Sequence, residues 1–123
     1  MKKIERKIKK KLPKIECFEN RFENYEIIHI FPEFTSLCPI SGLPDFGKII
    51  IKYVPNKWCV ELKSLKFYLN AYREVGVFYE DSVNQILNDI VKVCAPISLE
   101  VTGVFNPRGG FRSVVKAKYF RKR

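Results

Sequence analysis

The chain changes its hydrophobic period twice, and each change predicts a different kind of element. Apolar positions run almost unbroken through FGKIIIKYV, 46–54, and their β-branched side chains predict a strand. Ahead of it, YEIIHIF, 25–31, reads as a first strand ended by Pro32. The stretch 32–45 carries Pro32, Pro39, Gly42 and Pro44, which excludes helix and predicts a loop. After the strong strand, Pro55-Asn56 predicts a turn, and KWCVEL, 57–62, its returning hairpin partner. The period then lengthens. Leu62, Leu65, Leu69, Tyr72 and Val75 recur at helical spacing until Gly76, and Val83, Ile86, Leu87, Ile90 and Cys94 share one face of a second helix stopped by Pro96. Alternation returns in ISLEVTGVF, with Ile97, Leu99 and Val101 on one side. NPRGG then turns the chain, and Phe111 to Phe120 forms the last strand.

Strands first, a helix pair next and strands again predict an α+β domain, an antiparallel sheet with two helices on one face. At 123 residues and 46% hydrophobic content the chain suits one compact domain, taken as 25–123, behind a basic lead-in, 1–24, that is partly disordered or helical. Strand 46–54 adds a constraint. Ile49 and Ile51 face one way and Ile50 the other, and a strand apolar on both faces is usually buried on both. Two helices cover only one face. The other is expected to meet another subunit, or to line a barrel made by several.

The net charge of +10 changes this picture less than its size suggests. Residues 1–14 carry +7 and residues 108–123 another +7, whereas 15–107 carries −4. The basicity lies in the ends, which read as solvated tails rather than as a nucleic-acid surface. Four cysteines, Cys17, Cys38, Cys59 and Cys94, form no C-x-x-C pair and have one histidine, His29, for company, so no metal site is read. No secretory apolar stretch and no run of about 18 apolar residues appears. Free thiols in a reducing cytoplasm are the simplest reading.

Candidate chemistry centres on TSLCPISGLPDFG, 35–47. Prolines restrict the backbone, so the loop can hold Cys38 in one geometry, and Asp45 stands just before a strong strand. A thiolate attacks electrophilic carbon, and an acid nearby protonates the atom that becomes negative. The plain alternative for any cysteine is a small buried apolar residue. Cys59 and Cys94 fit that alternative, and Cys17 is assigned nothing. In VELKSLKFY, 60–68, Glu61 ends a strand, and Lys63 and Lys66 open a helix whose free N–H groups suit phosphate; surface lysines are the alternative. Glu80 opens the second helix, where a carboxylate either offsets the helix dipole or accepts paired N–H donors from a purine-like ring. Arg108 in NPRGG could clamp a phosphate or simply be a solvated turn residue.

Taken together, FPEFTSLCPISGLPDF, VELKSLKFYLNAYR, EDSVNQILNDIV and VTGVFNPRGG resemble the nitrile reductases of queuosine biosynthesis, the NADPH-dependent 7-cyano-7-deazaguanine reductases of the short, single-domain type. The resemblance spans about residues 31–118, with the motifs in matching order. It implies a tunnelling fold (T-fold), with subunit sheets joined edge to edge around a barrel, active sites at subunit interfaces and a homo-oligomer of stacked rings. It implies that Cys38 is the nucleophile, adding to the nitrile carbon of 7-cyano-7-deazaguanine to give a covalent thioimide. Asp45 would protonate the nitrile nitrogen, and two hydrides from two NADPH molecules would give the aminomethyl-deazaguanine base. Val60, Glu61 and Leu62 match substrate-contacting positions, and Glu80 the carboxylate that holds the base. Lys63, Ser64 and Lys66 fall in the stretch associated with the cofactor, with Arg108 added on charge alone. Tyr79 stands, among the substrate-contacting positions, where the family usually has histidine; tyrosine donates a hydrogen bond or stacks but does not titrate near neutrality.

Two other functions fit parts of the pattern. An amidine-forming relative would let the Cys38 adduct react with an amine, on the cyano-base already placed in tRNA, but would have no use for the ELKS stretch. A non-catalytic RNA-binding module would use the sheet as a platform and show salt-dependent binding without an adduct.

Overall fold

The structure is a computed structural model, described for residue 4 and residues 6–122. Its elements in chain order are β1 (Cys17–Glu19), β2 (Ile27–Leu37), β3 (Pro44–Val54), β4 (Trp58–Val60), α1 (Leu62–Asn70) with a 3-10 turn over Ala71–Glu74, α2 (Tyr79–Cys94), β5 (Ser98–Arg108) and β6 (Phe111–Phe120). Four long strands form one antiparallel sheet in the order β2-β3-β5-β6. Both helices pack on one face, so the α+β architecture expected from the periodicity is the one observed.

Alternation decides which face is covered. On β3, Ile49, Ile51 and Tyr53 are buried against the helices; Leu99, Val101 and Phe105 continue that face on β5. Helix α2 returns Val83, Ile86, Ile90 and Cys94, and α1 contributes Leu65, Tyr68 and Leu69, into a single core. Ile97, expected on the side of Leu99, precedes the strand and is exposed. The opposite sheet face leaves Ile28, Ile30, Phe46 and Val114 exposed, as a two-sided apolar strand pattern requires when helices cover one side.

Two expectations are corrected. Pro32 does not end the first strand: β2 continues to Leu37 through a bulge between Phe31 and Phe34. As an edge strand it has no neighbour to receive the N–H that proline lacks, and a bulge accommodates the irregular residues. The loop therefore shrinks to residues 38–43. Second, β4 is not the hairpin partner of β3. It pairs with β1 in a separate two-stranded sheet, Cys17 opposite Val60 and Phe18 opposite Cys59. Tyr53 reaches across instead, its hydroxyl accepting the Val60 N–H at 3.0 Å. The lead-in thus supplies a strand, and Ile15 beside it is buried in the core; its described residues contain no helix. Arg6 pairs with Asp81, and Lys10 with Glu74.

Helix ends set up the rest. The Glu61 side chain caps α1, accepting the Lys63 and Ser64 N–H groups at 2.7 and 2.8 Å. Helix α1 stops at Asn70, short of the expected Gly76, because residues 75–77 leave helical geometry to bind the end of β2. The Leu37 N–H donates to the Val75 carbonyl at 2.9 Å and the Val77 N–H to the Leu37 carbonyl at 3.0 Å. That parallel bridge carries the chain directly past residue 38 and into α2. At its far end α2 closes with Ala95 in the left-handed region, followed by Pro96.

Candidate active site

Cys38 and Asp45 sit at the two ends of the β2–β3 hairpin connection, so their positions derive from the sheet. The Cys38 N–H donates to the Leu43 carbonyl and the Gly42 N–H to the Cys38 carbonyl, both at 2.8 Å. Gly42 has φ of 74°, which glycine adopts without strain. Leu37 lies opposite Pro44 and Ser36 opposite Asp45. The prolines close this turn, but hydrogen-bonded strands hold it.

Cys38 is half-buried, and the Ser41 hydroxyl with the N–H groups of Ser41 and Ile40 draws its pKa below the ordinary thiol value; burial and the charge of Asp45 oppose them. Turn N–H groups aimed at sulfur favour the reactive thiolate. The other affected thiols go the opposite way: burial raises Cys17 and pushes Cys94 up to about 12. The turn therefore favours the thiolate at Cys38, whereas burial disfavours it at Cys17 and Cys94. Ser41 is a residue the sequence reading missed, although a serine three positions after a cysteine, behind Pro39, is a recognisable turn signal.

Asp45 is buried, 5% exposed, and its Oδ1 serves two donors. The Arg108 guanidinium forms an ion pair with that oxygen and also donates to the Pro44 carbonyl at 3.3 Å. The Tyr79 hydroxyl donates to the same Oδ1 at 3.2 Å. The Tyr79 ring lies flat on Phe105, centroids 3.8 Å apart and planes 6° from parallel. Tyrosine in place of the family's usual histidine therefore both stacks and donates. Burial, then the charge of Asp45, raises its pKa, so it remains a neutral donor.

These residues surround a hollow of about 260 Å³ lined by Cys38, Asp45, Val77, Tyr79, Glu80 and Arg108, among others. Glu80 is exposed on the first turn of α2 at its rim. The structure thus brings five of the candidates together. It does not bring Val60, Glu61, Leu62, Lys63, Ser64 or Lys66 to this hollow. Val60 is buried in the core, and Glu61 is engaged as the cap of α1. The N–H groups of Lys63 and Ser64, expected to be free for phosphate, are already taken by Glu61. The Ser64 hydroxyl donates to the Glu61 carbonyl and accepts from the Glu16 N–H. Leu62, Lys63 and Lys66 present exposed side chains. The hollow's 260 Å³ lies just below the roughly 300–1,000 Å³ usual for small-molecule sites. The exposed cations Lys63, Lys66 and Arg108 suit a phosphate-bearing cofactor.

No helix among the described residues is long and apolar enough to cross a membrane. Comparison with known proteins agrees with the geometry. A protein of Elusimicrobium minutum named NADPH-dependent 7-cyano-7-deazaguanine reductase is 56% identical over 113 residues, 91% of this chain and 86% of that protein. One of the same name from Chlorobium chlorochromatii is 50% identical, covering 89% of this chain and 96% of that protein. The crystal structure of the archaeosine synthase QueF-Like in the apo form superposes with a TM-score of 0.75 at 19% identity, over 83% of this chain and all of that one, a likeness of fold alone. The fold is the T-fold unit that the sequence resemblance implied. Residues 44–123 match the family described as QueF-like protein, and the chain belongs to that family.

Proposed function

We propose that this protein reduces the nitrile of 7-cyano-7-deazaguanine to the aminomethyl base with NADPH, in the biosynthesis of queuosine. The observation that carries the reading is the meeting of an activated Cys38 with Asp45, Tyr79, Glu80 and Arg108 around one hollow. Relatives at 56% and 50% identity bear the matching name.

The chemistry follows from the contacts. The Cys38 sulfur bonds to the nitrile carbon, one carbon–nitrogen π bond breaks, and nitrogen takes a proton. The thiol's own proton is the nearest source. Asp45 accepts it from sulfur and passes it to nitrogen, and so returns to the carboxylate that Arg108 pairs. Splitting addition from reduction turns a poor hydride acceptor into a better one. The cofactor, when bound, supplies one hydride at each of two successive reductions. Each hydride is matched by one proton from solvent. Between the two reductions the nitrogen lone pair forms a carbon–nitrogen double bond as the carbon–sulfur bond breaks, returning sulfur to Cys38. Glu80 at the rim accepts N–H donors from the base, and the flat Tyr79–Phe105 stack forms one apolar wall.

The remaining residues belong, in this reading, to a neighbouring copy in a homo-oligomer of stacked rings within the cytoplasm. Leu62 would cover the base, Val60 and Glu61 would contribute chiefly through the main chain, and Lys63, Ser64 and Lys66 would hold the phosphates, with Arg108 adding its charge from the protomer that carries Cys38. The exposed apolar sheet face and the partial hollow support that assembly.

The test is mass spectrometry of the protein mixed with 7-cyano-7-deazaguanine and no cofactor. The expected result is the substrate's mass on the peptide holding Cys38, and NADPH oxidation once cofactor is added. An unmodified protein at saturating substrate refutes the reading. An adduct without NADPH oxidation would favour amidine-forming chemistry instead.

A further inference from the structure

Ser36 is 1% exposed, and its hydroxyl is the buried side-chain oxygen without a hydrogen-bond partner among the described residues. Such orphans are rare, because a buried polar group left unpaired loses its water for nothing. Replacing this serine by alanine should leave the fold as stable or more stable. The residue needs a reason outside packing.

Its position supplies one. Ser36 lies directly opposite Asp45 in the β2–β3 register, so the two side chains share one face, with Cβ atoms about 4.5–5.5 Å apart in such pairs. The next residue, Leu37, is stitched on both sides to residues 75–77, which fixes this end of β2. The two donors to Asp45 from Tyr79 and Arg108 converge on Oδ1. Oδ2 is left for another partner.

We propose that Ser36 is a positioning residue for Asp45, its hydroxyl, unpaired in this structure, turning onto Oδ2 when the carboxyl carries the proton from sulfur to nitrogen. The inference rests on the function proposed above. Arg108 can only donate, so it favours the charged carboxylate alone. A hydroxyl donates to the carboxylate and accepts from the carboxylic acid. A hydroxyl facing the carboxyl can serve both states by turning its O–H. No bond to carbon or sulfur involves Ser36, and the proton balance of the shuttle is unchanged.

Two substitutions test this, Ser36→Ala and Ser36→Thr, each measured for melting temperature, for the rate of cofactor-free adduct formation against pH, and for substrate KM. Ser36→Ala is expected to melt at or above the wild-type temperature and to form adduct about tenfold more slowly. Its pH–rate profile should be displaced and its substrate KM unchanged. Ser36→Thr keeps the hydroxyl and should keep the wild-type profile. Ser36→Ala with wild-type rate and profile would overturn the proposal, leaving Ser36 a tolerated orphan. A lowered melting temperature with an unchanged profile would overturn it too, since the hydroxyl would then serve packing. The wild-type protein separates the two levels: no adduct there sinks the function, whereas an adduct indifferent to Ser36 sinks this inference alone.

Discussion

Replacing Tyr79 by phenylalanine removes one oxygen and keeps the ring, so it isolates the hydrogen bond to Asp45 from the stack on Phe105. The bond is 3.2 Å long, against about 2.7–2.8 Å for an ordinary O–H···O contact. A hydrogen bond to a charged group contributes about 1.5–3 kcal/mol, and this length argues for the low end, about 1.5 kcal/mol. That corresponds to about tenfold in any step for which Asp45 must be correctly aimed. Arg108 stays on Oδ1, so the carboxylate is not orphaned and the fold should lose no more than about 1 kcal/mol. The assay is single-turnover adduct formation at saturating substrate. The tyrosine pKa is raised in the folded state above its ordinary 10.0. The sign then follows: its contribution to stability is fully present below pH 10 and is lost as pH climbs through the raised folded value. The deficit of Tyr79→Phe should therefore be constant in the neutral range. An adduct rate equal to wild type between about pH 6 and pH 9 would refute the role assigned to the phenol.

Three further outcomes follow from the geometry. Gly47→Ala places a Cβ 2.7 Å from the Val104 carbonyl oxygen and 3.0 Å from the Phe105 ring. Parting β3 from β5 should cost about 2 kcal/mol and lower the melting temperature by roughly 8 °C, with activity falling because Asp45 lies two residues away. Arg108→Met leaves buried Asp45 without its ion-pair partner, so in the proposed reading it should slow cofactor-free adduct formation by on the order of tenfold and also raise the KM for NADPH, read from initial rates at fixed substrate. Glu61 has its pKa drawn below 4.5 by the Ser64 and Lys63 N–H groups, so its stabilisation is present above that value and fades as pH falls through the folded pKa. Glu61→Ala should therefore melt about 3 °C lower than wild type at neutral pH, and the gap should close in acid titration.

What the sequence disclosed was what local spacing encodes. The helical spacing of Leu65 and Leu69 and of 83–94, the alternation of Leu99 and Val101 and the two-sided run at 49–51 each report a neighbour a few residues away and match their observed faces, whereas Leu62 is exposed and Val75 lies beyond the helix. Pairing between distant segments left no such mark. Nothing in KWCVEL distinguishes a return onto β3 from a pairing with Cys17–Glu19, because both partners offer the same backbone donors and acceptors. Pro32 misleads for a related reason: proline excludes a strand only where a neighbour needs its N–H, and edge status is a property of the whole sheet.

The site divides along the same line. Cys38 and Asp45 were legible because a hairpin keeps them close in sequence and in space. The convergence of Tyr79 and Arg108 on Asp45 is not, since it joins positions 34 and 63 residues apart through two other elements. The clamp of residues 75–77 onto Leu37 makes that convergence possible, by delivering the start of α2 beside the hairpin. A side chain such as Tyr79 takes its role from where that clamp ends. Tyr79 and Arg108 meet at Asp45, whereas Lys63, Ser64 and Lys66 lie on α1, outside the hollow. That Cys38, Asp45, Tyr79 and Arg108 line one hollow while Lys63, Ser64 and Lys66 lie outside it is the arrangement expected if, as proposed, assembly rather than folding completes the site.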